Sequence, residues 1–238
     1  MRKCGGSYEN CRERQEREGM VIKRKTEITK INKRSAEIIL YGAGGHCKVV
    51  IDILECLGIP VEGVVDDNES VKDVLGYPVR RNVGIHDEVI VTIGSPKARK
   101  KIVERINVDR FGTAIHPKAV VSRYAKVGEG SVVVAGAVVN ACAEVGRHCI
   151  VNTGASVGHD VKLGDYVHVA SHATLLGEAY VGEGSWIGAG SVVHQGVKIG
   201  RNVVIGAGSV VLHDVPDDVT AYGVPCRVRH ASDKTLNY

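Results

Sequence analysis

The chain has 238 residues, 44% of them hydrophobic but only 4% aromatic, and a net charge of +4. Residues 1–36 hold eleven Lys/Arg against five Asp/Glu, which leaves the remainder at −2 and gives the folded part no basic face for nucleic acid. Seven cysteines without CxxC spacing, among them Cys149 at a small inward position and Cys47 and Cys56 in a helix, read as buried free thiols; with no apolar run long enough for a bilayer and no apolar-centred signal peptide, a reducing, cytoplasmic setting is expected.

In chain order, residues 1–36 read as a basic, disordered leader, with Met20 an alternative start. Residues 37–112 read as a Rossmann-like α/β domain. A short β-rich run, Glu37 to Tyr41, ends in Gly42-Ala43-Gly44-Gly45-His46, and an apolar-periodic helix (Val49, Val50, Ile53, Leu54, Leu57) stops at Gly58. Val61 to Val65 is a second strand closing on Asp66-Asp67, and Val89 to Ile93 a third closing on Gly94-Ser95-Pro96. The helix after it carries Lys97, Arg99, Lys100 and Lys101 around Ile102, Val103 and Ile106. Open α/β sheets bind ligands beyond the carboxyl ends of their strands, where the glycine turn, Asp66-Asp67 and Gly94 all fall. The turn lacks the third glycine of the dinucleotide fingerprint, because Cys47 stands there; its backbone N–H groups at a helix start still suit a phosphate.

From Ile115 to Val211 an aliphatic residue recurs every six positions, seventeen times in all. Four residues after each comes a small residue or Val, from Ala119 to Val215. A period of six marks a parallel β-helix over residues 113–216, three hexads per triangular coil, so that residues eighteen apart stack. At about 4.8 Å per strand the prism is roughly 27 Å tall. Pro117 and Pro216 bracket the run. Glycines directly after the aliphatic position (Gly128, Gly146, Gly158, Gly164, Gly182, Gly188, Gly200, Gly206) are expected at turns with φ > 0. Residues 217–238 leave the pattern as a polar C-terminal tail, with Arg227 and Arg229 placed to meet phosphates. Of the ten histidines, His159 sits just after Gly158 at a coil corner, facing outward, with Asp160 beside it to orient the ring. Spacing alone reads it as a polar surface residue.

The Gly42-Ala43-Gly44-Gly45-His46 domain, the unbroken hexad prism and Gly223-Val224-Pro225-Cys226-Arg227 together resemble the hexapeptide-repeat acetyltransferases of nucleotide-linked amino sugars. These are related to sialic acid and perosamine acetyltransferases, and the pattern is most similar to the N-acetyltransferases of bacillosamine synthesis. The resemblance runs from about Glu37 to Arg229. It implies a left-handed coil, where the general rule for parallel crossovers predicts right-handed ones. It implies acetyl-CoA as co-substrate without a metal, and transfer to the amine of a UDP-4-amino-4,6-dideoxy sugar. It makes His159 the general base, with Asp160 as its partner. His168, the Gly177 backbone N–H, Ala189 and Ala207 would meet acetyl-CoA. Gly44, Gly45, His46, Asp66, Asp67 and Gly94 would meet the nucleotide-sugar. A homotrimer with sites between subunits is also implied, with no nucleic-acid partner and no membrane span.

Two departures stand out. The segment Gly76 to Glu88 is shorter than in the family, and Asp160 replaces the usual Glu after the histidine. Alternative readings are a sialic acid or other sugar O-acetyltransferase, a carbonic anhydrase-like zinc enzyme using His168 and His172, and a non-catalytic solenoid scaffold or nucleotide-sugar sensor.

Overall fold

The computed structural model describes residues 38–82, 84 and 88–229. The readings of the leader, Met20, and the tail beyond residue 229 lie outside it. Chain order opens with β1 (Ile38–Tyr41), α1 (Gly45–Leu57), β2 (Val61–Val65), β3 (Asp73–Val74), β4 (Tyr77–Arg80), β5 (Glu88–Val91), α2 (Pro96–Arg105) and β6 (Arg110–Phe111). These strands form one sheet in the order β3-β4-β2-β1-β5-β6, parallel except at β3. The chain leaves β1 towards β2 on one side and leaves β5 towards β6 on the other. The crevice between the carboxyl ends of β1 and β5 is therefore the switch point of the sheet.

Local chemistry explains both helices. Cys47, Val50, Ile51, Ile53 and Leu54 of α1 are buried, and Gly58 closes it in the left-handed region at φ 67°, its N–H reaching Glu55 O. Ser95 Oγ accepts from Ala98 N at the start of α2, and Pro96 supplies the fixed φ of a first helical residue. The short strands β3, β4 and β6 carry no periodicity of their own, and sequence reading passed over them.

From β7 (Ala114–Ile115) to β24 (Thr220–Tyr222), short strands wind into three parallel sheets, six coils in all. We call the three prism faces, in the order the chain visits them, the docked, neutral and charged faces. Outward residues Ala114, Val132, Ile150, His168, Trp186 and Val204 form the docked face; Val120, Val138, Ser156, Thr174, Val192 and Val210 the neutral face; Lys126, Glu144, Lys162, Tyr180 and Lys198 the charged face. Register is eighteen residues, as in Val133↔Val151 and Val157↔Leu175. The aliphatic and small series fill the interior: Val151, Ala155, Val157, Val169, Ile187 and Ile205 are wholly buried. Ala114, Val132 and Val134 pack in the same apolar cluster as Ile38, Val50, Leu54 and Ile90, so the docked face is roofed by the α/β sheet and α1.

Three expectations need correction. First, the glycines after the aliphatic position are not at positive φ; the left-handed residue is two places later, at Gly130, Gly136, Gly154, Asp160 or His172. What demands glycine at the earlier position is the next coil. A Cβ on Gly146 would lie 2.6 Å from Gly164 C and O, and one on Gly182 2.6 Å from Gly200 C and O. Secondly, the last coil is two residues short: Val215 bridges to Ile199 and Ala221 pairs with Ile205, both sixteen residues on, so Val215 leaves the small series. Residues Thr220–Tyr222 therefore add a rung instead of leaving the β pattern, and β25 (Arg227–Arg229) folds back antiparallel on it. Thirdly, Cys47 and Cys149 are buried but Cys56 is exposed on α1; all five described cysteines are free.

Two glycine substitutions separate proximity from φ. Gly146→Ala, driven into neighbouring backbone, should cost about 3 kcal/mol in urea unfolding. Gly190→Ala, at φ 67° with open space around it, should cost about 1 kcal/mol. Equal losses would show that backbone proximity is not the constraint.

Candidate active site

The His159 corner joins the neutral to the charged face. His159 Nδ1 lies 2.8 Å from Asp160 Oδ2, and about half of each side chain is exposed. A carboxylate only accepts, so the Nδ1–H donates to it, and in the neutral ring the lone pair is the one on Nε2. Asp160 holds φ 58°, which turns its carboxylate back beside the preceding ring. Gly177 stacks above: a Cβ there would sit 2.5 Å from His159 Cε1 and Nε2. The N–H of Gly177 has no acceptor among the described residues, and the same holds at Ala189 and Ala207. All three occupy the second turn position, whose N–H the coil-to-coil ladder does not use.

Ala189 and Ala207 are exposed and stack with each other, but at the corner joining the docked to the neutral face. The residues expected to meet acetyl-CoA thus divide between the two edges of one face, with Gly177 beside the base and the alanines opposite. Cys142 lies one coil below Asp160 in the same turn column.

His168 is elsewhere again. It is 4% exposed on the docked face, its ring 4.0 Å from the Trp186 ring. Its Nδ1–H donates to Gly94 O at 2.9 Å, and Nε2 accepts from Asn152 Nδ2 at 3.2 Å. Both nitrogens are committed within the chain, which removes the zinc reading built on His168 and His172; His172 lies in an exposed turn over Gly154. Asp52, Cys56 and His116 are the one group of possible metal ligands that converges among the described residues. His116 Nδ1 accepts from Lys118 N, so its neutral ring carries Nε2–H, a donor where a metal needs a lone pair.

At the switch point, Gly44 and Gly45 are exposed with nothing within 4 Å of an added Cβ. The first turn of α1 has no side-chain cap and no acidic residue; Cys47 N donates to Gly44 O at 3.1 Å, which leaves the N–H groups of Gly45 and His46 to an anion. His46 follows with Nε2 buried and unpartnered. Asp66 and Asp67 are occupied within the chain. Asp66 accepts from Ala43 N at 2.6 Å and Asn68 N at 2.7 Å, fixing the glycine turn. Asp67 accepts from Tyr41 Oη and Arg105 at 2.7 Å each, and these hydrogen bonds hold its carboxyl below the usual range.

Arg99, placed from the sequence only among the basic residues of this helix, is 1% exposed. Its spacing from Ile102, Val103 and Ile106 places it on the apolar stripe of α2, which was the available signal. Nε donates to His148 O, Nη1 to Ile93 O and Gly94 O, and Nη2 to Tyr166 O, all at 2.7–2.8 Å. Burial pulls its guanidinium down to about 10, so it stays charged at neutral pH. Burial and this cation keep the nearby imidazoles neutral: His46 falls to about 4 and His168 to about 3. His148, wholly buried between Phe111 and Tyr166, falls to about 4, chiefly through burial.

A parallel hexad prism with a His–Asp pair at an open corner defines a hexapeptide-repeat acyltransferase. The comparisons agree. The PglD N-terminal domain family matches residues 37–106, and the bacterial transferase hexapeptide family matches residues 142–177 and 178–213. Among solved structures, the perosamine N-acetyltransferase of Caulobacter crescentus, in complex with CoA and GDP-perosamine and with one histidine replaced by asparagine, is 38% identical. The match covers 82% of this chain and 97% of that one, with a TM-score of 0.78. The acetyltransferase domain of PglB from Neisseria gonorrhoeae is 34% identical over 82% and 100%, TM-score 0.76, and has also been solved with acetyl coenzyme A. WeeI from Acinetobacter baumannii is 26% identical over 81% and 99%, TM-score 0.72. No curated protein matches the sequence. The chain belongs to the family of left-handed β-helix sugar acetyltransferases that carry a PglD-type N-terminal domain.

Acid stability follows from the three buried imidazoles. Each has a folded pKa below the ordinary 6.5, so the native state binds protons less readily than the unfolded chain. Their neutral forms are at no disadvantage above about pH 6.5, and stability falls as pH drops from there towards 4. By pH 5 each should have withdrawn about 2 kcal/mol. Urea unfolding at pH 7 and pH 5 measures this, and His148→Phe should flatten part of the dependence.

Proposed function

We propose that the protein transfers the acetyl group of acetyl-CoA to the amine of a nucleotide-activated amino sugar of the UDP-4-amino-4,6-dideoxy type, with His159 as general base. One observation carries the mechanism: the His159 imidazole, its Nδ1–H held by Asp160, lies at an open corner against Gly177, whose N–H has no acceptor among the described residues. His159 Nε2 removes a proton from the sugar nitrogen as its lone pair attacks the thioester carbonyl. The developing oxyanion is met by the Gly177 N–H. Collapse breaks the C–S bond, and the proton held on His159 passes to the departing CoA sulfur. Attack is direct, without an acyl-enzyme.

The open N-terminus of α1, with Gly44, Gly45 and His46, supports binding of the nucleotide phosphates there. Asp66 and Asp67 act more readily as supports for that turn than as direct ligands, because their oxygens are already engaged. Ala189 and Ala207 supply small, exposed corners along which a pantetheine arm can lie close to the main chain. Among the described residues no helix is long and apolar enough to cross a membrane, and five free thiols favour a cytoplasmic step in glycan assembly.

Thiol release from acetyl-CoA, measured against nucleotide-linked 4-amino sugars with sialic acid included, tests the reading. Turnover should require an amine, His159→Ala should lower kcat by 10²–10⁴-fold, and Gly177→Ala should lower it by about tenfold or more by displacing the ring. Transfer to sialic acid alone, or an undiminished His159→Ala variant, would overturn it.

The arrangement also favours a homotrimer. The neutral face carries no charge along six strands, whereas the charged face carries Lys126, Glu144, Lys162 and Lys198. Three copies burying neutral faces about a threefold axis would bring the His159 corner of one beside the Ala189–Ala207 corner of the next. Activity should then fall on dilution in step with dissociation, as read by mass photometry beside the thiol assay; full turnover by monomers would exclude shared sites.

A further inference from the structure

We propose that Arg99 is a positioning residue that fixes the nucleotide-sugar loop to the prism and, through the Gly94 carbonyl, sets the place of His168. This rests on the transferase reading above. Among the described residues the guanidinium has no carboxylate partner. All four of its hydrogen bonds go to backbone carbonyls, and those divide evenly. Ile93 and Gly94 belong to the loop after β5, at the switch point of the α/β sheet. His148 and Tyr166 are eighteen residues apart, stacked turn residues at the corner where the charged face leads to the docked face, with their rings stacked at 5.2 Å and 9°. One rigid fork therefore spans two bodies of the fold. A buried cation is costly, and burial alone would favour an apolar side chain here; bridging two pairs of carbonyls is what a planar guanidinium can do and an apolar residue cannot.

The Gly94 carbonyl is the shared element. It accepts from Arg99 Nη1 at 2.8 Å and from His168 Nδ1 at 2.9 Å. Its place is set by Arg99, and it dictates the tautomer of His168, whose Nε2 then accepts from Asn152. A shift of the loop is thereby transmitted to a side chain on the prism. The molecule carries its own reporter of that shift, because Trp186, the single tryptophan, lies against His168 with ring centroids 4.0 Å apart.

The test uses the full chain with Arg99→Lys and Arg99→Met. Lysine keeps a charge and three donors on one atom, but cannot span both carbonyl pairs. The expected result is a 10- to 100-fold fall in kcat/KM for the nucleotide-sugar with KM for acetyl-CoA changed less than threefold, in Arg99→Lys as in Arg99→Met. In the unsubstituted protein, nucleotide-sugar binding should change Trp186 emission; in Arg99→Lys that response should be lost. Should Arg99→Met fail to fold, Arg99→Lys and the emission signal decide. The inference is overturned if Arg99→Lys matches the unsubstituted kinetics and emission response. It is equally overturned if the variants lose only active fraction, with kcat lowered and both KM values unchanged. Absence of acetyl transfer in the unsubstituted protein would instead refute the transferase reading.

Discussion

Coil-on-coil stacking at the spacing of one β-strand is the constraint on which everything else depends. Each N–H of a prism strand donates to the coil beside it, as in Val138 to Ala155 and Ser156 to Ala173, so successive coils cannot separate to admit a side chain between them. At the corner between the charged and docked faces this leaves no room for a Cβ, and Gly128, Gly146, Gly164, Gly182 and Gly200 form an unbroken column there. The same ladder skips the second N–H of each turn. At Arg147 and Arg201 an aspartate from the next coil accepts it; at Gly177, Ala189 and Ala207 no described residue does. The open donors that we propose meet the thioester and its pantetheine arm are thus a by-product of the solenoid.

The seam between sheet and prism follows a different rule. There a buried cation is satisfied by carbonyl dipoles, and its field joins with burial to hold the neighbouring imidazoles neutral. A neutral ring with one nitrogen donating and one accepting has a single orientation, so His168 is fixed by chemistry as well as by packing. His159 lies on the far edge of the neutral face and takes its tautomer from Asp160 alone. The two histidines, nine residues apart in sequence, belong to separate electrostatic systems.

Periodicity made the prism, its interior and the stacking of Gly177 on His159 legible, because a period of eighteen is a coordinate system for residues that follow it. It misjudged the glycines for a physical reason: sequence shows where a side chain is missing but not whether φ or a neighbouring backbone excludes it. Non-glycine residues such as Cys142, Asp160, Tyr166 and Glu178 hold the left-handed positions throughout, so conformational cost did not reserve those for glycine. The shortened last coil was hidden because Val215 satisfies the hexad while its structural partner is sixteen residues back. In the α/β part the strand ends were legible from turn chemistry. What each carboxylate does was not: Asp66 and Asp67 look identical to ligands until Ala43, Asn68, Tyr41 and Arg105 are seen to occupy them. Arg99 was concealed by its basic neighbours although its spacing placed it inward.

The division of the proposed site between two edges of the neutral face bears on why that face is flat and uncharged. In the proposed site a base and an oxyanion donor occupy one edge, and small exposed corners for the pantetheine arm the other, with Ser156, Thr174 and Val192 between them. Within one chain the prism itself separates these groups, and no motion of a hydrogen-bonded solenoid can bring them together. In the proposed trimer a second copy supplies the missing edge, and in a closed ring each subunit then presents the same face to its neighbours. A charged outward residue on that face would lose its hydration on burial against two others of its kind. Uncharged side chains at all six positions are therefore what shared active sites require, and the charges displaced from that face stand on the next one.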